Sequence, residues 1–383
     1  MPPTIAELLT SKRVLLCVGT GGVGKTTLSA ALGIAAARLG RRTLVLTVDP
    51  ARRLANALGL QAFDEQVQRI AVPRGGAQQP ATSLDASMLD VKRTFDRVVT
   101  RYARSQQSAQ RILGHPFYVQ ASTALAGSQE YMATERLYEC ATCGQWDLVI
   151  LDTPPAEHAL DFLDAPRRLI DLFGSPAFRK VIAPSRRLNS GVFRSGSMVM
   201  RGLQRFTSVE MFSNLLEFFG DLSETFDGFV QRAEQVQALV TGPDAAFILV
   251  SACDPTSSDQ AASLGRQLRA QRMLPAAWLV NRVLALDPAL DTDPVALTAA
   301  LAREWRTLGD ALGRDVPHLA EHVAQTTAAL GRLAAADLAV VQRVRDQASA
   351  DMAVVPVARR DDEPHDLIGL SAIAQALVAP TQA

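Results

Sequence analysis

Between Val14 and Gly33 the chain reads VLLCVGTGGVGKTTLSAALG, an apolar run that enters a glycine cluster, meets one lysine and continues into a helix-like pattern. Gly19 to Thr26 satisfy the spacing G-x-x-x-x-G-K-[ST], and the chemistry of that spacing is phosphate binding. Glycines let the backbone curl until successive N–H groups converge on phosphate oxygens, and the start of the following helix adds partial positive charge. Gly21, Gly22, Val23, Gly24, Lys25, Thr26 and Thr27 are therefore the residues expected to hold a nucleoside triphosphate. Lys25 would reach the β- and γ-phosphates, and the Thr26 hydroxyl would join the shell of a Mg²⁺ ion bridging them. The plainer alternative is a glycine turn with no ligand. The chain has only Lys12, Lys25, Lys92 and Lys180 as lysines, which makes a chance lysine at the motif position a poor explanation.

Two carboxylates stand where such a site needs them. Asp49 closes the apolar run LVLTVDP and Asp152 closes LVILDTPP, and ligands of open parallel sheets gather at the carboxyl ends of strands. Asp152 reads as a Mg²⁺ carboxylate, direct or through water, and Asp49 as the group that orients or deprotonates the attacking water. The competing reading makes each a simple cap of the next helix. No Asn-Lys pair exists in the chain, so the guanine-reading Asn-Lys-x-Asp pattern is absent and ATP is the expected nucleotide. Asn281, at the end of AAWLVN, is either a contact to the base edge or a strand-end turn former.

These residues need a scaffold, and the rest of the sequence describes one. Arg13–Gly19, Arg42–Asp49, Trp146–Asp152, Ala245–Asp254, Ala276–Asn281 and Met352–Val357 are apolar runs with polar ends, the pattern of parallel strands covered on both faces. Separated by helical stretches, they predict an α/β fold, a doubly wound, mostly parallel sheet of the P-loop type. A helix is expected from Thr26 to about Leu39, stopped by Gly40. RGGAQQP, Arg74 to Pro80, reads as an exposed loop.

From Pro166 to Val240 there is no strand candidate. Apolar residues from Val199 through Phe206, Phe212 and Phe219 to Val230 recur at three- and four-residue steps instead. The expected organisation is a first part of the core over 1–165, a helical insertion over 166–240, and a second part of the core over 241–383.

Composition excludes several classes. Lys+Arg and Asp+Glu both number 39, so no net field favours nucleic acid. The start, MPPTIAELLTSKR, shows neither a basic nor an apolar leader region, and no apolar run has membrane-spanning length, so a cytoplasmic protein is expected. Four cysteines do not make a disulfide framework. Cys140 and Cys143 are two unrelated thiols near a helix end or, pooled across a dimer, a zinc site. HLAEH, His318 to His322, matches a metalloprotease pattern literally, but a solvated helical face is the simpler reading.

With GTGGVGKTT, TVDPARRLANALG, DTPPAEHALDFLDAP and VNR in hand, the chain resembles the ArsA family of anion-transporting ATPases, which also includes the eukaryotic tail-anchored-protein-targeting ATPases. The resemblance implies ATP hydrolysis with Asp49 activating water, and a switch running from Asp152 through His158. It also implies a chain-end loop against adenine, matched by Val354 to Leu367. Its implied partners are a second copy or a related subunit, and a membrane protein or an apolar helix as client.

One departure matters. The family's lysine at the second loop position, which reaches across the dimer, is Thr20 here. Arg52 and Arg53 are the nearest replacements if they are not simply surface or helix-start residues. Two classes therefore stand side by side: an ATPase that works as a dimeric switch, and a nucleotide-stabilised scaffold with little turnover. A partition-type ATPase, which shares the cradle, is a more distant alternative.

Overall fold

In the computed structural model the described residues are 2–49, 53–60, 66–72, 82–115, 118, 128–155, 164–168, 170–171, 175, 225–286, 293, 295–301, 304, 317–360 and 366–379. Helix α1 (Ile5–Ser11) leads into β1 (Val14–Gly19), then α2 (Lys25–Arg38), β2 (Thr43–Thr47) and a short α3 (Arg53–Ala57). Next come β3 (Gln68–Val72), β4 (Thr82–Met88), α4 (Val91–Tyr102), α5 (Gln106–Gly114), α6 (Ser128–Thr142) and β5 (Leu148–Asp152). The chain resumes with α7 (Phe226–Thr241), β6 (Ala245–Ala252), α8 (Pro255–Ala270), β7 (Pro275–Val283), α9 (Pro317–Gln347), β8 (Ala353–Ala358) and α10 (Leu367–Val378).

The strands form one eight-stranded sheet in the order β3-β4-β2-β5-β1-β6-β7-β8. Every neighbouring pair is parallel except β3 and β4. Its central strands are apolar throughout because successive side chains enter two different cores. In β1, Leu15 and Cys17 pack on one face with α2 and α10, while Val14, Leu16 and Val18 pack on the other with α6, α8 and α9. Strand β6 divides in the same way, with Ala246, Ile248 and Val250 on the first face and Phe247 and Leu249 on the second.

Helix α2 is buried on nearly every side, from Leu28 through Ala37, and its sequence is correspondingly small-residued rather than amphipathic. A Cβ at Gly33 would lie 2.5 Å from Val45 Cγ2, so this glycine sets how closely the helix approaches β2.

All six strands expected from the sequence are present, and the fold class is as expected. Two strands were not foreseen. β4, TSLDASM, carries Asp85 and Ser87 into the interior, so it does not read as an apolar run. Asp85 is tolerated there because Trp146 Nε1 donates to it at 2.9 Å and Arg69 from β3 pairs with it at 3.0 Å. The expected loop at 74–80 lies outside the described residues, as does most of the expected insertion. Within 166–240, the described chain contains no strand, and α7 closes the segment.

A third cluster joins α4, α6 and α7 through Val98, Val99, Tyr131, Met132 and Phe229. At its edge Arg232 of α7 makes a bidentate pair with Glu135 of α6, with both side chains almost fully buried, and its guanidinium lies 3.9 Å from the Tyr138 ring centroid. Removing one member leaves the other as a buried, uncompensated charge. Arg232→Met and Glu135→Leu are each expected to lower stability by about 3–5 kcal/mol, and the double variant by much less than the sum. Urea unfolding of the three variants checks this, and strictly additive losses would contradict it.

Candidate nucleotide site

The site begins where β1 runs out. A Cβ at Gly19 would lie 2.1 Å from the Val250 carbonyl oxygen of β6, so only glycine lets the loop leave the sheet this close to its neighbour. The loop then turns through Gly22 at φ 75° and Gly24 at φ 95°, left-handed conformations that favour glycine.

Gly24 is the N-cap of α2 and offers no side-chain cap. The starts of α1, α4, α5, α8 and α10 are instead capped by Thr4, Asp90, Ser105, Asp254 and Asp366. The first N–H groups of α2 therefore face a loop without any side-chain acceptor at the N-cap, which is the arrangement an anion completes.

Lys25 is buried, and its ammonium donates to the carbonyls of Gly19 at 2.9 Å and Thr20 at 2.8 Å. It thus lies folded under the loop with its charge at the concave side. Thr26 Oγ1 donates to Asp152 Oδ2 at 2.7 Å, and Thr47 Oγ1 donates to the same oxygen at 3.0 Å. Strand pairing makes this possible, since Thr47 of β2 and Cys17 of β1 are the registered neighbours of Asp152 on its two sides.

Asp152 Oδ1 is buried and has no hydrogen-bond partner among the described residues. An anionic oxygen left open beside a threonine hydroxyl suits a hard cation such as Mg²⁺, which takes oxygen donors and waters. The residues present therefore fit the ion, with Thr26 and Asp152 as the ones that would hold it.

Asp49 follows the same strand end, where its N–H donates to Thr47 Oγ1 at 3.2 Å. Its charge is near enough to act on Asp152. Thr153, buried next to Asp152, donates to the Cys17 carbonyl at 2.7 Å and ties the segment after β5 to β1. His158 and Arg52, singled out in the sequence, lie outside the described residues.

Asn281 comes from β7, yet its Nδ2 donates to the Val23 carbonyl at 2.8 Å, so its amide rests on the loop itself. Thr47, Thr153 and the Asn281 contact to the loop were not anticipated. The only sequence signal was polar residues at the ends of apolar strands.

Thr20, Gly21, Gly22 and Val23 also line an open cleft of about 690 Å³, whose far wall is the end of β6 and the first turns of α8 with Asp254 and Gln260. Away from the site, Cys140 is packed in the core, and burial pushes its thiol up to about 12. His318 and His322 lie on α9, and His322 is exposed. No group of three or more metal-binding side chains occurs among the described residues. No described helix is long and apolar enough to cross a membrane.

A mostly parallel sheet that brings a glycine loop, a buried lysine and a threonine from the end of β1 beside an aspartate from the end of β5 defines the P-loop nucleoside triphosphatase class. The family model described as anion-transporting ATPase matches residues 12–296, well over half of the chain, and the protein belongs to this ArsA family. It is 30% identical over 313 residues to an uncharacterized protein of Streptomyces coelicolor, an alignment covering 80% of this chain and 72% of that one. It is 31% identical over 169 residues to an ATPase GET3 of Malassezia globosa, covering 43% of this chain and 46% of the relative. It is also 30% identical over 157 residues to a candidate arsenical pump-driving ATPase of Prosthecochloris vibrioformis, covering 41% of this chain and 36% of the relative. The chain thus spans less than half the length of the latter two.

Burial raises the Asp152 carboxyl to about 6; hydrogen bonds from Thr26 and Thr47 and the charge of Lys25 oppose the rise, and Asp49 adds to it. The folded chain therefore holds this proton more tightly than the unfolded chain. Stability of the metal-free protein should fall as pH rises from about 4 to about 6, and the penalty is complete above that window. Asp152→Asn should be more stable than the parent by about 1–3 kcal/mol near pH 7.5 and equal to it near pH 4. Urea unfolding at both pH values, without Mg²⁺ or nucleotide, tests this; a constant difference would contradict it.

Proposed function

We propose that this chain is a cytoplasmic, Mg²⁺-dependent ATPase of the ArsA type, acting as a dimeric switch that energises a membrane partner or handles an apolar client. The observation that carries the reading is the meeting of Thr26 and Asp152 at 2.7 Å beside the uncapped start of α2. A phosphate-binding loop alone accounts for affinity. A threonine and an open carboxylate oxygen beside it account for a metal-assisted reaction.

In this reading the loop amides and Lys25 grip the β- and γ-phosphates and steady the charge that builds up between them. Thr26 and Asp152 would hold the Mg²⁺, which would supply positive charge to offset that of the phosphates. Asp49 orients the attacking water and accepts its proton, from a position next to Asp152 but on a different strand. The chain-end stretch from Val354 to Leu367 would lie against adenine; its residues 361–365 are outside those described.

Support for turnover coupled to work comes from the relatives, one named an ATPase and one a pump-driving ATPase. Ordering of switch segments around the γ-phosphate, and their release on hydrolysis, is the physical route by which such an enzyme moves a neighbouring element. Thr20 favours a second reading, a nucleotide-stabilised scaffold with little turnover, because a neutral hydroxyl cannot supply the family's cross-dimer charge.

A steady-state ATPase assay beside calorimetric nucleotide binding separates the two. Lys25→Ala should abolish binding and turnover together. Asp49→Asn should keep ATP affinity within about threefold while lowering kcat by 10²–10⁴-fold, on the order expected for loss of a general base. A parent protein that binds ATP tightly, with a turnover that Asp49→Asn leaves unchanged, would establish the scaffold instead.

A further inference from the structure

From an irregularity at the end of β7, we infer that Asn281 is a positioning residue for the phosphate loop, aimed by a β-bulge and a left-handed Arg282. The inference rests on the nucleotide-binding reading above. It assigns Asn281 a task on the loop backbone rather than on the base.

Up to Val280 the pairing of β7 with β8 is regular, Val280 against Pro356. The register then shifts, and the next partners are Val283 and Ala358. Asn281 and Arg282 together therefore stand opposite the single residue Val357. One extra residue bends a strand and re-aims its side chains, and such bulges concentrate beside functional sites.

Arg282 takes φ 63°, a conformation that residues other than glycine and asparagine rarely adopt. Its consequence is visible in the hydrogen bonds. The Arg282 N–H turns back to donate to Asn281 Oδ1 at 3.0 Å, which fixes which way the amide faces, and Nδ2 is left to donate to the Val23 carbonyl at 2.8 Å.

On the other side of β7, Asn281 is registered with Ala252 of β6, which lines the cleft beside the loop. The approach is tight, since a Cβ at Gly24 would lie 2.3 Å from Asn281 Nδ2. Gly24 is thus glycine both for its own φ of 95° and for the room this amide needs.

The geometry of the peptide unit says what the contact does. A trans peptide is planar, with C=O and N–H pointing in opposite directions. Pulling the Val23 carbonyl toward Asn281 therefore aims the Gly24 N–H away from it, to the opposite face of the loop. Val23 is itself nearly buried, so the peptide is held from both its side chain and its carbonyl. A donor for phosphate that is already oriented before the ligand arrives loses little entropy on binding. Asn281 thereby preorganises the cradle, and the bulge and Arg282 preorganise Asn281.

A brace acts on phosphates and is blind to the base. Asn281→Ala should weaken Mg²⁺-ATP, Mg²⁺-CTP and Mg²⁺-tripolyphosphate by one common factor, about tenfold for a lost hydrogen bond that also orphans a carbonyl. Asn281→Asp keeps the shape and the Arg282 bond but sets an oxygen against the Val23 carbonyl, so it should weaken all three at least as much. Amides 20–24 of the ligand-free variants should exchange hydrogen about tenfold faster than in the parent, with β1 and β6 unchanged.

Loss confined to ATP would make Asn281 a base reader and overturn the inference, as would exchange of residues 20–24 at the parental rate. A parent chain that binds none of the three ligands would instead refute the nucleotide reading, and the ligand-free exchange measurement would still judge the brace. If Asn281→Ala fails to fold, the isosteric Asn281→Asp carries both measurements.

Discussion

The candidate site depends on the start of helix α2, where a glycine instead of a capping side chain precedes the first backbone N–H groups. Helix α2 starts at Lys25 behind a left-handed Gly24, and no side chain caps it, although caps close several other helix starts. Helix-start donors that lack a side-chain cap are costly to bury. The protein sustains them by burying the rest of α2 on nearly every side against β2, β5 and α10, so the open end cannot relax by unwinding. The small residues of α2 follow from that burial, and so does Gly33 against Val45.

A second consequence is electrostatic. Placing β5 between β1 and β2 brings Asp152 to the inner edge of the loop, where it is 1% exposed and takes two threonine hydroxyls on one oxygen. Burial alone would strip the carboxylate of its charge, and the two hydroxyls and Lys25 oppose that only in part. The result is a carboxyl group with one satisfied and one open oxygen beside a glycine loop. In the proposed reading a divalent cation would resolve that imbalance, and the cost of burying the carboxyl would become affinity for a metal–nucleotide pair.

Other buried polar groups show the opposite strategy. Asp85 is fully engaged by Arg69 and Trp146, and Glu135 by Arg232, so neither offers an open valence to a ligand. Among these three buried acids, Asp85 and Glu135 are closed pairs that join elements, and Asp152 keeps an open oxygen at the strand ends. What separates them is their partners and not their burial.

Much of this was legible from the sequence because it is written in short-range patterns. The spacing from Gly19 to Thr26 states the loop, since its conformational demands fall on neighbouring residues. The six apolar runs state the central strands, since burial on both faces removes the alternation of polar positions. Family membership follows from the same motifs. What the sequence could not state is whatever depends on register between distant segments.

β4 escaped notice because Asp85 is paid for by Trp146, 61 positions away. Thr47 and Thr26 meet on Asp152 across 105 and 126 positions. The donation of Asn281 to the Val23 carbonyl, beside the bulge of β7, spans 258 positions. Residue types and local spacing determined that a glycine loop with one lysine would follow β1. Only the tertiary pairing of strands decided which carboxylate stays open, which amide holds the loop and which polar residues close on one another. A hydrogen bond is set by distances of a few tenths of an ångström between chain segments whose separation in sequence carries no such information.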